Sequence, residues 1–280
     1  MQVGSVRVGD EATAVRVEGD ELVRLPFTTD ELFANNMWDL AAADELDGST
    51  FERSAFADAD WAPIVARPDK IICVGLNYME HIQEMNHPTP TAPSYFAKYR
   101  AALIGAHDDI HLPPQSVSTK IDWEVELCIV IGKQARNVSE SDALDYIAGY
   151  TVLNDVSVRD WQKRTSQFLA GKTFEHCSPV GPVLTTTDVL GDASGLAVST
   201  TVDGVVKQHS TTDELVFKPA ELIADLSTII TLEPGDLIPT GTPSGVGAGR
   251  DPQEWLTDGA EMVTRVEGIG ELRNRCVLSH

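Results

Sequence analysis

Apolar and polar positions alternate in short runs near the start of the chain. Val3–Val8, Ala12–Val17 and Glu21–Leu25 are separated by Gly9-Asp10 and Gly19-Asp20. Period-two runs broken by turn residues predict strand, turn, strand, turn, strand. One or two helices follow from Thr29 to about Leu46, and Ala62–Pro68 has the composition of a linker. These features divide the chain into a small β-rich N-terminal domain, 1–66, and a larger domain, 67–280. In the larger part Ile71–Val74 is a continuous apolar run, which predicts a buried strand. Asn77–Met85 fits one short helix, stopped by Asn86 and by prolines at 88, 90 and 93. Ser94–Leu103 predicts a strand carrying Lys98, and 108–120 a proline-containing loop. Ile121–Val130 predicts a strand, and Ser139-Glu140-Ser141-Asp142 matches a capping box opening a helix through Ile147. Tyr150–Leu153 predicts a buried strand with Asn154-Asp155 at its end, and 157–168 a helix. Gly171–Thr173 and Pro179–Pro182 bracket a loop. Residues 196–202 and 205–208 flank Asp203-Gly204, the preferred residues of a tight hairpin turn. Pro219 opens a helix to Ile230, 232–247 reads as strand and loop, and 261–277 gives the last strands. The prediction is a mainly β protein with short helices (α+β) and a rolled or barrel-like sheet.

One of these strands carries an unusual pattern. In Ile121-Asp122-Trp123-Glu124-Val125-Glu126-Leu127 the apolar residues Trp123, Val125 and Leu127 share one face. Asp122, Glu124 and Glu126 share the other, with neighbouring carboxylates roughly 6.5–7 Å apart along the backbone. Like charges so close to a core strand are unfavourable unless a positive group lies among them. With no His or Cys beside them, oxygen ligands point to a hard cation such as Mg²⁺ or Mn²⁺. The other reading of these residues is a solvated acidic face.

Composition narrows the classes. The chain has 280 residues, 42% hydrophobic, enough for a substantial core. Its formal charge of −22 argues against nucleic acid or an anionic membrane as partner. An anionic substrate would need local positive charge. The four cysteines, Cys73, Cys128, Cys177 and Cys276, are far apart and read as free thiols of a reducing cytoplasm. The chain opens on strand-like sequence without a targeting signal, and no apolar run approaches the ~20 residues that span a bilayer.

Chemistry-bearing residues fall into separated stretches. In Asn77–Glu84, His81 and Glu84 are three residues apart and face the same side of a helix. A His beside a carboxylate is the arrangement that takes a proton from water. The others are Asp122–Glu126, Tyr150–Gln162, Gly171-Lys172-Thr173 with Pro179–Pro182, and Pro239–Gly247. Taken singly they are ordinary: His81 as a half-exposed helix residue, Lys172 as a surface lysine, Asp155 as a helix N-cap. His87, His107, His111, His209 and His280 show no partner pattern and read as structural or solvated. The loop with Gly245, Gly247 and Gly249 lacks a phosphate-loop lysine, which argues against nucleotide binding.

In their order and spacing these stretches resemble the fumarylacetoacetate hydrolase family, from about Pro68 to Val277. The resemblance implies a β-roll catalytic domain, a homodimer, and Mg²⁺ or Mn²⁺ in the site. By matching positions it implies Glu124, Glu126 and Asp155 as metal ligands. His81 and Glu84 match a catalytic dyad on a lid, and Lys172 a lysine at the reacting group. Gln162, Thr242 and Lys98 match substrate-contact positions. Many members have Ser-Phe-Asp-Thr-Phe where this chain has Thr173-Phe174-Glu175-His176-Cys177, and proline where it has Tyr99; these departures bear on substrate selectivity. The implied activity is metal-dependent hydrolysis of a carbon–carbon bond in an acylpyruvate, a small oxo acid, with fumarylpyruvate from gentisate breakdown as the preferred substrate. Oxaloacetate decarboxylation and isomerisation or decarboxylation of dienoic diacids are the alternatives within the family.

Overall fold

The computed structural model describes residues 1–43 and 53–279. Most of the strands join one of two antiparallel-rich sheets. The larger sheet runs in the order Leu237–Pro239, Val125–Ile131, Ile147–Asn154, Ser178–Thr186, Gln2–Val8, Glu11–Glu18, Glu21–Arg24, Arg53–Ala55. The N-terminal strands therefore continue the sheet that carries the acidic residues, through pairing of Gln2–Gly4 with Val183–Thr185. The smaller sheet has the order Val205–Thr211, Ala197–Val202, Glu261–Val266, Gly270–Leu278, Ile110–Leu112. Val125, Leu127, Ile129 and Ile131 point into a core shared with Val198, Val266 and Leu272 of the smaller sheet. Cys128 and Val130 point the other way, into a second cluster with Cys73 and Leu153. All of Val125–Ile131 and Ser178–Thr186 is buried, which explains their near-continuous apolar character.

Several elements differ from the sequence-based expectation. The strand expected over 121–130 is two: Ile121–Asp122 pairs with Ser157–Val158, and Val125–Ile131 pairs with Ile147–Asn154. Trp123 and Glu124 lie between, where the side chain of Asn154 accepts from Glu124 N at 3.0 Å. The expected helix over 157–168 reduces to a strand, Ser157–Val158, and one turn, Arg159–Gln162. Lys172 ends a short helix, Leu169–Lys172, not a loop. Pro179–Pro182 lies inside a central strand, where a register shift opposite Gly181 accommodates it. The strand before Lys98 ends at Ala97. The helix after Ser139 is 3₁₀, and Ser139 Oγ donates to the Asp142 carboxylate at 2.7 Å instead of capping the backbone. The helical region from Thr29 is two helices, Thr29–Ala34 and Trp38–Ala42; its expected end near Leu46, like His280, lies outside the described residues. The hairpin around Asp203-Gly204 and the helix Pro219–Ile229 form as the pattern predicts.

Four buried cysteines are free. Among the described residues no helix is long and apolar enough to cross a membrane.

Candidate active site and metal centre

Strand pairing builds the acidic cluster. Val125 pairs with Asn154, and Asp155 N donates to Glu124 O at 2.9 Å, so the end of one strand is laid beside the start of the other. Glu124, Glu126 and Asp155 each offer a carboxylate oxygen, and all three lie within 4.8 Å of one another. All three residues are buried, which rules out a solvated acidic face. Asp155 is not an N-cap: Val158 holds that position before Arg159. Asp122 departs from the shared face that simple alternation predicts. Its Oδ1 accepts from Trp123 N and Gly247 N at 2.9 and 2.6 Å, and its Oδ2 from Ala248 N and Arg159 Nε at 3.0 and 2.7 Å.

Three buried cations balance these carboxylates. Lys172 Nζ donates to Glu124 Oε2, and to Asp155 Oδ2 at 2.6 Å. Arg159 bridges Asp122 and Glu124, with Nη2 2.6 Å from Glu124 Oε1. Lys98 Nζ donates to Lys172 O and, at 2.7 Å, to Ser178 Oγ, and it lies 2.9 Å from Asp155 Oδ1. Burial opposes ionisation of Glu124, but Arg159 and Lys172 outweigh it and hold this carboxyl well below the usual range. Glu126 is the opposite case: burial, with Asp155 and Glu124 nearby, pushes its carboxyl well above the usual range. Burial disfavours the charged form of Lys172, yet Asp155 and Glu124 more than reverse this and keep it protonated.

A hard divalent cation fits this set. The donors are all carboxylate oxygens gathered within 4.8 Å, and Glu126 lacks the positive partner that its two acidic neighbours demand. Glu126 Oε2 has a single backbone donor, Gly241 N, at 2.8 Å.

The second half of the site comes from the helix Met79–Glu84. Asn77 pins its start: the amide donates to Phe217 O and Thr240 O and accepts from Phe217 N. Its end is fixed by Asn86, which takes the left-handed conformation at φ 56°, while Asn86 N and His87 N return to Gln83 O and Ile82 O. His81 is buried, and its Nδ1 lies 2.9 Å from Glu84 Oε2. Glu84 Oε1 accepts from Gly245 N at 2.9 Å, so the Gly-rich loop serves as the dock for this helix.

A cavity of about 270 Å³ joins the two halves, with His81, Glu124, Glu126, Lys172, Gln162 and Thr242 on its wall. Eight of the nine residues expected at the site thus come together, Glu84 through His81 and Asp155 through Lys172. Lys98 does not face the cavity; it stands behind Asp155 and Lys172 as their support. Arg159 and Asp122 were not among the expected site residues, although Arg159 sits three residues before Gln162 in the same stretch. His87, expected to be structural or solvated, also lines the cavity.

The family model described as fumarylacetoacetate (FAA) hydrolase C-terminal matches residues 70–277. Over 214 residues the chain is 46% identical to "Oxaloacetate tautomerase Fahd2a, mitochondrial" of Rattus norvegicus, covering 76% of this chain and 68% of the relative. The structure is similar to fumarylacetoacetate hydrolase from psychrophilic Exiguobacterium antarcticum, with 29% identity, a TM-score of 0.89 and full coverage of both chains. It is also similar to maleylpyruvate hydrolase from Sphingobium sp. SYK-6 in complex with manganese(II) ion and pyruvate, with 28% identity, a TM-score of 0.82 and full coverage of both.

Proposed function

The chain belongs to the fumarylacetoacetate hydrolase family, and on that premise we propose that it enolises a short 2-oxo acid with the help of Mg²⁺ or Mn²⁺, with oxaloacetate tautomerisation as its reaction. The observation that carries this reading is that His81, oriented by Glu84, lines the same cavity as Glu124, Glu126 and Lys172. The relative named an oxaloacetate tautomerase supports the choice of substrate, and fumarylpyruvate gives way to it as first candidate. Glu124, Glu126 and Asp155 would hold the cation, which would supply positive charge that favours enolate formation in a 2-oxo acid.

The chain's own residues do the rest. Glu84 accepts the Nδ1 hydrogen of His81 and so leaves Nε2 with a free lone pair toward the cavity. That lone pair takes a proton from the carbon next to the 2-oxo group and returns it to oxygen. Lys172, kept protonated, donates a hydrogen bond where negative charge develops. Gln162 and Thr242 orient the substrate on the cavity wall.

Acylpyruvate hydrolysis is the second reading, favoured by the likeness to the maleylpyruvate hydrolase. It uses the same residues, with His81 deprotonating a water. A homodimer in a reducing compartment remains the expected setting for either. The test is enol–ketone interconversion of oxaloacetate and pyruvate release from fumarylpyruvate, each with Mg²⁺ and with chelator, for wild type and His81→Ala. Interconversion that needs both metal and His81 supports the tautomerase. Pyruvate from fumarylpyruvate with no effect on the enol supports the hydrolase. Activity that survives chelator and mutation together removes both readings.

A further inference from the structure

Two histidines that the reaction above does not use stand together at the surface. His111 lies on the strand Ile110–Leu112 between two buried neighbours, so its ring projects outward and is exposed. His176 lies between Lys172 and the strand Ser178–Thr186 and is exposed as well. Backbone bonds fix both residues. His111 N donates to His176 O at 2.9 Å, His176 N to Ala101 O at 2.9 Å, and Cys177 N to Ala102 O at 3.0 Å. His176 takes the left-handed conformation at φ 53°, which a residue with a Cβ keeps only where its surroundings hold it. The two ring centroids are 5.4 Å apart, with the ring planes at 56°. Among the described residues, neither ring has a hydrogen-bond or ion-pair partner.

We propose that His111 and His176 form a second metal site, for Zn²⁺, built from residues other than the carboxylate cluster. The spacing is that of a shared ion. With Zn–N at about 2.0–2.1 Å and a tetrahedral angle, two imidazoles on one zinc have ring centres about 5.2 Å apart, against about 4.5 Å at a right angle. Neutral imidazole suits a borderline ion, whereas the all-oxygen cluster suits a hard one, so the two sites take different metals. Among the described residues, Glu124, Glu126 and Asp155 are the only three such side chains grouped closely enough to hold a metal. The histidine pair therefore supplies two ligands, and water completes the shell. An ion so held is exchangeable, and the chain's charge of −22 favours its approach. Its effect is mechanical. Ile110–Leu112 pairs with Cys276–Leu278 of the smaller sheet, while the segment after His176 enters the larger sheet as Ser178–Thr186. A bound ion clamps a strand of one sheet to the entry of the other, beside the backbone bond that joins the two residues. The inference does not depend on which reaction the chain performs.

The test is titration of the full chain with Zn²⁺, in the presence of Mg²⁺, followed through the NMR shifts of the histidine ring nitrogens. It is made on wild type, His111→Gln and His176→Asn, and the two variants also assign the two rings. Both rings are exposed and asparagine tolerates a left-handed backbone, so folding is expected to be unaffected. In wild type the His111 and His176 rings should shift together, at one Zn²⁺ concentration. Removing either ring should weaken the response of the other at least about tenfold, about 1.4 kcal/mol. A remaining ring that responds at an unchanged Zn²⁺ concentration means two independent histidines and overturns the site. A response confined to other histidines, or none at all, overturns it equally. Glu126→Ala separates this site from the carboxylate cluster: the paired response should be retained there, and its loss would show that Zn²⁺ acts through the cluster and would overturn the proposal.

Discussion

The floor of the site and the helix above it are built on different terms. The floor gathers Asp122, Glu124, Glu126 and Asp155 with Arg159, Lys172 and Lys98, all nearly or fully buried. Glu126 sits on a strand held by a long ladder, Asp122 on a short strand paired with the one before Arg159, and Lys172 ends a short helix with its ammonium bound to Glu124 and Asp155. The helix Met79–Glu84 is six residues long, and its Glu84 side chain is 19% exposed. Beyond its N-terminal anchor Asn77, it reaches the Gly-rich loop through Glu84 and Gly245 N, and through Glu80 and Ser244 at 3.2 Å. A buried charge without its partner is costly, so a cluster of seven charges needs a scaffold that cannot shift. A base that must let substrate in and product out is better placed on a small element with few attachments. The two regions thus divide the work: the floor makes an enolate affordable, and the helix moves the proton.

The strongest way to break that division is to damage the floor. Glu126→Ala removes one cation ligand, and turnover of every substrate is expected to fall at least about a thousandfold, roughly the loss when a key charge-stabilising group is removed. In wild type, Mg²⁺ at about a hundred times its Kd stabilises the fold by about 2.7 kcal/mol, which corresponds to a rise in Tm of several degrees. That rise should vanish in the variant and in the presence of chelator. Near-normal activity in Glu126→Ala would mean that the carboxylate cluster is not the metal centre.

His81→Ala tests the other region alone. Enol–ketone interconversion and hydrolysis should each drop by about 10²–10⁴. Metal-promoted decarboxylation of oxaloacetate, which needs the floor but no base, should stay within about threefold of wild type, and the Mg²⁺ shift in Tm should be retained. Equal loss of all three reactions would show that the helix and the floor act as one unit.

How much of this was legible in the sequence follows the same division. Glu124 and Glu126 stand out because they are two apart on an apolar strand, and His81 and Glu84 because they are three apart on a helix. Both are local spacings. Asp155 and Lys172 acquire a role only through their order relative to these, and the strand register then brings them together. The unread parts depend on contacts between segments distant in the chain. Asp122 leaves the strand face because Gly247 and Ala248, more than a hundred residues on, present their N–H groups to it. Lys98 turns inward because Ser178 and Asp155 offer buried oxygens that solvent does not. Pro179–Pro182 reads as loop because proline cannot donate to a ladder, yet the shifted register opposite Gly181 gives that segment a central place.

Asp122→Asn probes the joint between the regions, since Asp122 holds both Arg159 of the floor and the loop on which the helix docks. The amide can still accept from Trp123 N and Gly247 N, but its NH₂ meets Arg159 Nε and Ala248 N, donor against donor. A loss of about 3 kcal/mol in stability is expected, with kcat/KM reduced about thirtyfold for decarboxylation and for proton transfer alike. A selective loss of proton transfer would place Asp122 with the helix only.

Gly249→Ala gives the smallest and sharpest effect. Gly249 lies in the turn Gly247–Gly249 without a left-handed φ, so alanine fits its backbone. A Cβ there would lie 2.6 Å from the Glu84 carboxyl carbon and 2.7 Å from Oε1. These are closer than side chains approach, and Glu84 is not free to swing away without losing its bonds to Gly245 N and to His81. The carboxylate must therefore shift, and His81 loses the partner that fixes its Nδ1 hydrogen. Proton transfer should fall about tenfold, about 1.4 kcal/mol in the barrier, while decarboxylation and the Mg²⁺ shift in Tm remain at wild-type values. No floor residue is altered in this variant. A matching fall in decarboxylation would therefore show that the position of the helix sets the geometry of the carboxylates, and that the apparent independence of the two regions does not hold.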